Sequence, residues 1–546
     1  MRRHVLAGVA VLLVVWPGPA YALAPPRVGA IVVIVDDVSF SAALRVPAFR
    51  ALASRGGAAL MNGREDVRSS LKAASLVVSD VASLSQAVAA LTQALADEED
   101  PSIVMVISTS PGPATASRGD ELGTVIMAEG SPQHMLEPRG SPKALTSDST
   151  RRAGVVATVD PAATIAAWLG LPSDEGAPIE RTDEPAPLDL YQRYLQQRRL
   201  AVPIAAGAWS FVTVAGLLGV LALVFRRRLA DRALAAAGAL AASLPWLALA
   251  LLVVGHLPSL TGATVIPFLM AVVVAGVTFT RWVASRRGIL AAIASCGAVI
   301  LALLGIEAAL GWPAAVTPLA GGGQLDGGRF FGMGNIEIGL VLGCGLFAAQ
   351  RMRVERGTAL IAACALVAGS PWTGSNVGAG ITLFAAAGLW LGFRRRRRWW
   401  GIALTTGAIT AAGTVLIAAM HRYLTGQPTH VTAFLERTRG PLSGLSRFVD
   451  RLGIGADLVR DNPFSLIPVV GTLVLLIVVL RPPSALARTF EAHDAWRDAV
   501  LVIVLGSIVA YLANDTGAAA LGFGFGTALS GLLDVSLATA REKMDR

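Results

Sequence analysis

From Val202 onward the chain is a succession of apolar runs long enough to cross a bilayer. They fall near 203–225, 233–254, 262–280, 288–310, 336–350, 357–371, 376–393, 399–420, 463–480, 498–513 and 517–537, about eleven in all. In lipid every backbone polar group must be bonded within the protein, so runs of this kind fold as helices. Hydrophobic residues make up 54% of the 546 residues and charged residues only 15%, which excludes an ordinary soluble enzyme. The net charge of +9 does not indicate nucleic-acid binding, because the arginines sit in clusters between the apolar runs.

Those clusters set a topology. Arg226–Arg228, Arg281/Arg286/Arg287, Arg351/Arg353/Arg356, Arg394–Arg398, Arg481/Arg488/Arg497 and Arg541/Lys543 follow every odd-numbered run. The positive-inside rule places them on the cytoplasmic side, with the C-terminus. Met1–Ala24 reads as a secretory signal, with Arg2 and Arg3, an apolar Val5–Val15 and small-x-small sites at Ala20–Ala24; an uncleaved anchor is the alternative. Residues 27–174 are then extracytoplasmic, followed by a Pro- and acid-rich linker over 175–200 and a membrane domain over 201–540 with outer loops at 311–337 and 421–462. Multi-pass insertion in a bacterial plasma (inner) membrane is the localisation this implies.

The first domain alternates strand and helix patterns. Ala30–Val35 (AIVVIV) is a continuous apolar run of the kind buried in a parallel sheet. Strands are expected at Ala73–Val78, Ile103–Ile107, Thr124–Met127 and Val155–Val159, and helices at Pro47–Arg55, Val81–Ala96 and Pro161–Leu169. The expected fold is an α/β domain with a mostly parallel sheet, followed by an all-α transmembrane bundle.

VVIVDDVSF (32–40), PAFRALASRGGAALMN (47–62) and TSDSTRRAGVVATVDPAATIAAWLGLP (146–172) together resemble the alkaline phosphatase superfamily, in its sulfatase and phosphoglycerate-mutase branch. The resemblance implies that Asp36 or Asp37 stands where the family binds metal, and that Ser69 and Ser70 lie near its nucleophile. The family's SDHG is replaced by Ser108-Thr109-Ser110-Pro111-Gly112, and His134 is the sole histidine between 27 and 198. A two-metal centre needs several carboxylate and imidazole ligands, and an unassisted serine hydroxyl is not activated. The domain therefore reads as a pseudoenzyme with vestigial Asp36 and Asp37, no catalytic residue and no cofactor. Cys296, Cys344 and Cys364 lie in apolar runs with no metal-ligand spacing.

Polar residues of the membrane domain concentrate in a few places. Gly321–Gly339 (GGGQLDGGRFFGMGNIEIG) is glycine-dense and carries Asp326, Arg329, Asn335 and Glu337 between apolar runs. Ser370–Asn376 and Asn514–Gly517 are similar short polar joints on the same side of the predicted topology. Asn335, Asn376 and Asn514 each read as an N-cap, and helix N-termini attract anions. The candidate substrate-binding residues are Arg329, Asn335, Glu337, Asn376, Asn514, Asp515, His421 and Arg422; Glu307 is a further lining residue or a snorkelling one.

Three functions are consistent with this pattern. One is a membrane bundle that moves or presents an anionic, lipid-linked envelope substrate, with Glu337 and Asp515 as ion- or proton-coupling groups or as partners of Arg329. The second is a transferase with an outer-face active site, where His421 or His430 is the base and Arg329 or Arg422 clamps phosphate. The third is an assembly scaffold whose outer domain docks a protein partner. The layout resembles the ethanolamine-phosphate transferases of glycolipid anchor synthesis, which implies a lipid-linked substrate class. The bilayer is the one certain partner class, and no nucleic acid is implied.

Overall fold

The structure, a computed structural model, describes residues 30–36, 38–62, 71, 78–81, 83–97, 102–108, 122–171, 176–319, 325, 331–424, 466–514 and 517–542. The signal sequence, Asp37, Ser69, Ser70, Thr109–Gly112, Asp326, Arg329, His430 and Asp515 lie outside these residues, as does most of 421–462 beyond Leu424. Elements of the first domain are β1 (Ala30–Val35), α1 (Phe40–Ala43), α2 (Pro47–Arg55), β2 (Gly57–Asn62), β3 (Val78–Val81), α3 (Leu84–Asp97), β4 (Ser102–Ser108), β5 (Gly123–Gly130), β6 (Lys143–Ser147), β7 (Val155–Ala157), α4 (Asp160–Trp168) and β8 (Ile179–Pro185).

Alternate residues of a strand face opposite sides, and β1 shows why its sequence has no polar side. Val33 and Val35 pack on one face with Phe40, Leu91 and Val106, while Val32 and Ile34 pack on the other with Met105, Ile107 and Ile165. Both faces of the sheet are thus covered. Strand order is β3-β1-β4-β5-β2-β6-β8, with β7 beside β2. The sheet is mixed rather than mostly parallel: β1 is parallel to β3 and β4, but β5 runs antiparallel to both β4 and β2. An all-apolar run signals burial and carries no information about direction, which is why the sequence pattern misses the reversal. The described part of the strand expected at Ala73–Val78 is Val78, which opens β3.

The segment read as a linker is structured. Within 175–200, β8 pairs antiparallel with β6, and its IERTDEP sequence is polar because all but one of its side chains lie outside the core of an edge position. Pro and acidic residues mimic a tether in sequence while serving an edge strand in the fold. A single helix, α5 (Leu188–Val224), then continues for 37 residues, about 55 Å at 1.5 Å per residue. Tyr191 and Tyr194 are buried in the core of the α/β domain, so its first turns belong to that domain.

The bundle comprises α5, α6 (Asp231–Val253), α7 (Gly262–Arg287), α8 (Ile289–Ala309), α9 (Asn335–Ala349), α10 (Val354–Gly369), α11 (Val377–Arg394), α12 (Trp399–Leu424), α13 (Leu466–Leu480), α14 (Ser484–Ala492), α15 (Asp494–Ala513) and α16 (Gly517–Glu542). Every expected apolar run is helical. Among the described residues eight helices, α5–α8, α11, α12, α15 and α16, are long and apolar enough to cross a membrane; α9, α10 and α13 are shorter. All 15 residues of α9 are buried, and at about 22 Å it falls short of a hydrocarbon core of roughly 30 Å. It is the central helix, enclosed on every side. Small residues let its neighbours approach: a Cβ at Gly339 would sit 2.2 Å from the Ala520 carbonyl oxygen, and one at Gly343 would sit 2.4 Å from Thr527 Cγ2.

The α/β domain rests on one end of the bundle. Arg151 Nη1 donates to the Pro371 carbonyl (2.7 Å), Gln197 Nε2 to Pro318 (2.9 Å), and Arg193 to the Gly255 carbonyl. Leu325, from the loop ahead of α9, is buried in the core of the α/β domain. At the other end the arginine clusters find carboxylates: Arg281 with Asp534 (2.7 Å), Arg394 with Asp498 (3.1 Å) and Arg396 with Asp494 (2.6 Å).

Asp160 organises the segment between β6 and β8. Its buried carboxylate accepts from Ser147 Oγ (2.5 Å), Ser149 Oγ (2.6 Å), Ala157 N (2.7 Å) and Ala177 N (3.1 Å). Burial holds this carboxyl above the usual range, against the pull of those four donors. Asp160→Asn turns an amide NH2 toward two of them. At about 1–3 kcal/mol per buried donor left unsatisfied, the domain should lose about 3 kcal/mol, read as earlier proteolysis of the α/β domain in denaturant; unchanged resistance refutes the hub. In the bundle, Gly339→Val should cost about 1–3 kcal/mol by overpacking, measured by thermal unfolding in detergent. Gly345→Val, where a Cβ meets nothing within 4 Å, should be tolerated.

Candidate functional site

The site lies where three joints meet under the α/β domain. Helix α10 ends at Gly369, and Ser370–Ser375 turns the chain back into α11. The turn is tight: Ser375 N donates to the Ser370 carbonyl (2.7 Å) and Asn376 N to the Ala368 carbonyl (2.9 Å). Gly374 is needed because a Cβ there would lie 2.1 Å from the Ala368 carbonyl oxygen. Against it lies Gly332, at φ +88, where a Cβ would meet the Gly374 carbonyl oxygen at 2.1 Å. Met333 N then donates to that same carbonyl (2.8 Å).

Asn376 staples two helix starts together. Its Oδ1 accepts from Ala379 N (2.9 Å), so it is the N-cap of α11. Its Nδ2 donates to the Met333 carbonyl (3.1 Å) and to Asn335 Oδ1 (3.2 Å). The other two asparagines are not N-caps. Gly334 is the N-cap of α9, which makes Asn335 its first helical residue. Asn514 ends α15, its Nδ2 donating to Ala510 (2.9 Å), while α16 begins at Gly517. The physical reason is the same in both cases: an Asn among small residues satisfies a helix start, a helix end or a neighbouring chain equally well. All three are nonetheless gathered. Asn514 Oδ1 sits 2.2 Å from where a Gly378 Cβ would be, in the first turn of α11.

Glu337 lies in the first turn of α9, 4% exposed. Its carboxylate curls back over Gly334, where a Cβ would meet Oε2 at 2.6 Å. This is the third helical position, where a carboxylate suits the positive end of the helix dipole. The position therefore suits the helix start electrostatically and also places the carboxylate in the cluster.

His421 and Arg422 diverge. His421 is fully buried, with Nε2 2.9 Å from the Gly369 carbonyl at the end of α10, so Nε2 carries the proton in that bond. Arg422 is exposed, its guanidinium 5.9 Å from the Tyr423 ring centroid. Glu307, buried at the end of α8, is paired with His256 and accepts from Ala314 N (3.2 Å). Trp312 Nε1 closes the same end by donating to the Thr373 carbonyl (2.6 Å).

Sequence reasoning missed the arginines that the α/β domain brings here. Arg151 holds a left-handed backbone (φ +52), bonds the Pro371 carbonyl and stacks over Phe331, 4.8 Å from its centroid. Arg152 Nη2 reaches the Gly311 carbonyl (3.5 Å), and its guanidinium is pushed below the usual arginine range first by burial and then by Arg193. The adjacent Arg-Arg in TSDSTRRAG was the signal, but nothing local says that it faces the bundle.

In the α/β domain, Ser108 stands at the end of β4 beside Val35 and clasps the following turn. Its Oγ donates to the Val38 carbonyl (2.8 Å) and accepts from Val38 N (3.2 Å). Asp36 is exposed, and His134 is an exposed residue whose Nδ1 lies 3.2 Å from Glu137 Oε1. Among the described residues no group of three or more His, Cys, Asp or Glu is placed to hold a metal ion.

Removing the staple separates these roles. Asn376→Ala strands the Ala379 N–H and the Met333 carbonyl, and should cost about 2 kcal/mol of stability by the usual loss of a cap plus a buried hydrogen bond. Asn376→Ser keeps a cap oxygen and loses both donor bonds without burying a charge, so its detergent melting temperature should fall between those of Asn376→Ala and wild type. Equal melting of all three refutes the staple. No known protein-family model, no curated protein and no solved structure matches the chain.

Proposed function

We propose that this chain is a multi-pass protein of the bacterial plasma membrane that moves or presents an anionic, lipid-linked envelope substrate, with a non-catalytic α/β domain over its outer end. The observation that carries the reading is the gathering of Asn335, Glu337, Asn376 and Asn514 at the buried ends of a short central helix and its neighbours. Ionisable and amide groups at membrane depth mark ligand pathways more often than packing, and interrupted helices with polar ends build transporter sites. Arg151 and Arg152, together with the expected Arg329, supply positive charge for an anion at this end. The arginine clusters at the opposite end favour a cytoplasmic C-terminus and an extracytoplasmic α/β domain.

Two observations weigh against a transferase that uses His421 or a phosphatase-like ectodomain. A histidine buried with its Nε2–H on a backbone carbonyl is poorly placed to take a substrate proton. Ser108 spends its hydroxyl on the turn that follows β1, and Asp36 and His134 are both exposed. The non-catalytic reading of the α/β domain, and its use as a cap or partner-docking surface, rest on these features.

The test is mass spectrometry of lipids extracted from the purified full-length protein. A phosphate-bearing lipid-linked species should be enriched over the bulk membrane extract in wild type. It should fall about tenfold, the loss of one charge-assisted contact, in Arg329→Ala, and should be unchanged in His134→Ala. Equal retention in all variants, or no enrichment in wild type, rejects the reading.

A further inference from the structure

A second site lies on the flank of the bundle, away from the asparagine cluster. Helices α5, α13 and α14 stand apart over α16 and leave a cavity of about 590 Å³. It is open toward the bilayer, since Leu217, Val220 and Val474 on its walls are exposed. Gly216 of α5 and Gly471 of α13 withhold side chains where these walls pack against Leu529 and Phe525 of α16.

Polarity is concentrated at one end, with Thr213 on the rest of the wall. Arg226, Arg488, Thr489 and Ser536 line the end remote from the α/β domain, and the rest of the channel is nearly all apolar. Ser536 is 7% exposed, and its Oγ is buried with no hydrogen-bond partner. Arg226 gives one N–H to the Leu223 carbonyl (3.1 Å). Among the described residues no carboxylate pairs with Arg226 or Arg488. Their neighbours at this end, Arg281, Arg394 and Arg396, do have carboxylates. Short α14 holds Arg488 exposed, with Leu486 also on the cavity wall.

We propose that this groove binds one anionic phospholipid of the surrounding bilayer. Its chain lies in the channel, its phosphate meets Arg226 and Arg488, and the Thr489 and Ser536 hydroxyls donate to headgroup oxygens. Charge complementarity selects this occupant: two cations without carboxylate partners and an unpartnered buried hydroxyl close one end of a channel otherwise suited to hydrocarbon. Arginines at the membrane surface attract anionic headgroups, and guanidinium pairs well with phosphate. The inference is independent of the substrate reading, because the two sites lie at different ends of the bundle.

Native mass spectrometry of delipidated full-length protein, titrated with phosphatidylglycerol or phosphatidylcholine of identical chains, tests it. The first lipid bound should be phosphatidylglycerol, by about tenfold or more from two arginines at the surface. Arg226→Gln with Arg488→Gln should abolish that preference. Arg227→Gln with Arg481→Gln removes the same charge from the same end outside the groove and should preserve it. Val220→Trp, which fills the channel, should lower retention of both lipids. No preference in wild type, equal loss in the control pair, unaltered binding in Val220→Trp, or displacement by inorganic phosphate alone would each overturn the site.

Discussion

Backbone polar groups inside an apolar medium must be bonded within the protein, and the architecture around α9 depends on that constraint. A helix of 15 residues with an irregular approach is unworkable against lipid, because the N–H and C=O groups ahead of it would go unmet. Here the residues just ahead of it, Gly332–Gly334, are buried, and two irregular segments satisfy each other: Met333 N bonds the Gly374 carbonyl, and Asn376 Nδ2 bonds the Met333 carbonyl. Gly332 and Gly374 permit the close passage. The polar cluster is thus first a solution to a backbone problem, and its chemistry is available because that solution leaves carboxylate and amide groups together at depth.

The same end of the bundle carries the α/β domain, and the attachment is stiff. Helix α5 is continuous from the buried Tyr191 and Tyr194 to Val224. Leu325 plugs the domain core from below, while Arg151 reaches down to the turn that precedes Asn376. Asp160 contributes by holding the stretch around Arg151 in place through Ser147 and Ser149.

Much of this was legible in the residues. The apolar runs predicted every long helix, because length and composition suffice when the solvent is lipid. AIVVIV identified a strand covered on both faces, and the half-polar stretch ending in NIEIG leads into the end of the bundle that carries the α/β domain. The signal failed where one pattern serves two structures. Apolar residues all round a helix describe α9, which is wholly enclosed, as well as α13, which is partly exposed. Pro and acids describe a tether as well as the edge strand β8. An Asn among small residues caps the start of α11 in one place and the end of α15 in another.

The sequence by itself determined that the chain is a membrane bundle headed by an α/β domain, since periodicity and apolar length are local properties. Only the tertiary structure decided the mixed strand directions, the burial of α9 at the centre, the junction of Asn335 with Asn376 and the reach of Arg151 across 220 residues to Pro371. Those outcomes depend on which surfaces meet, and contacts between distant segments are set by packing and backbone satisfaction rather than by any local pattern.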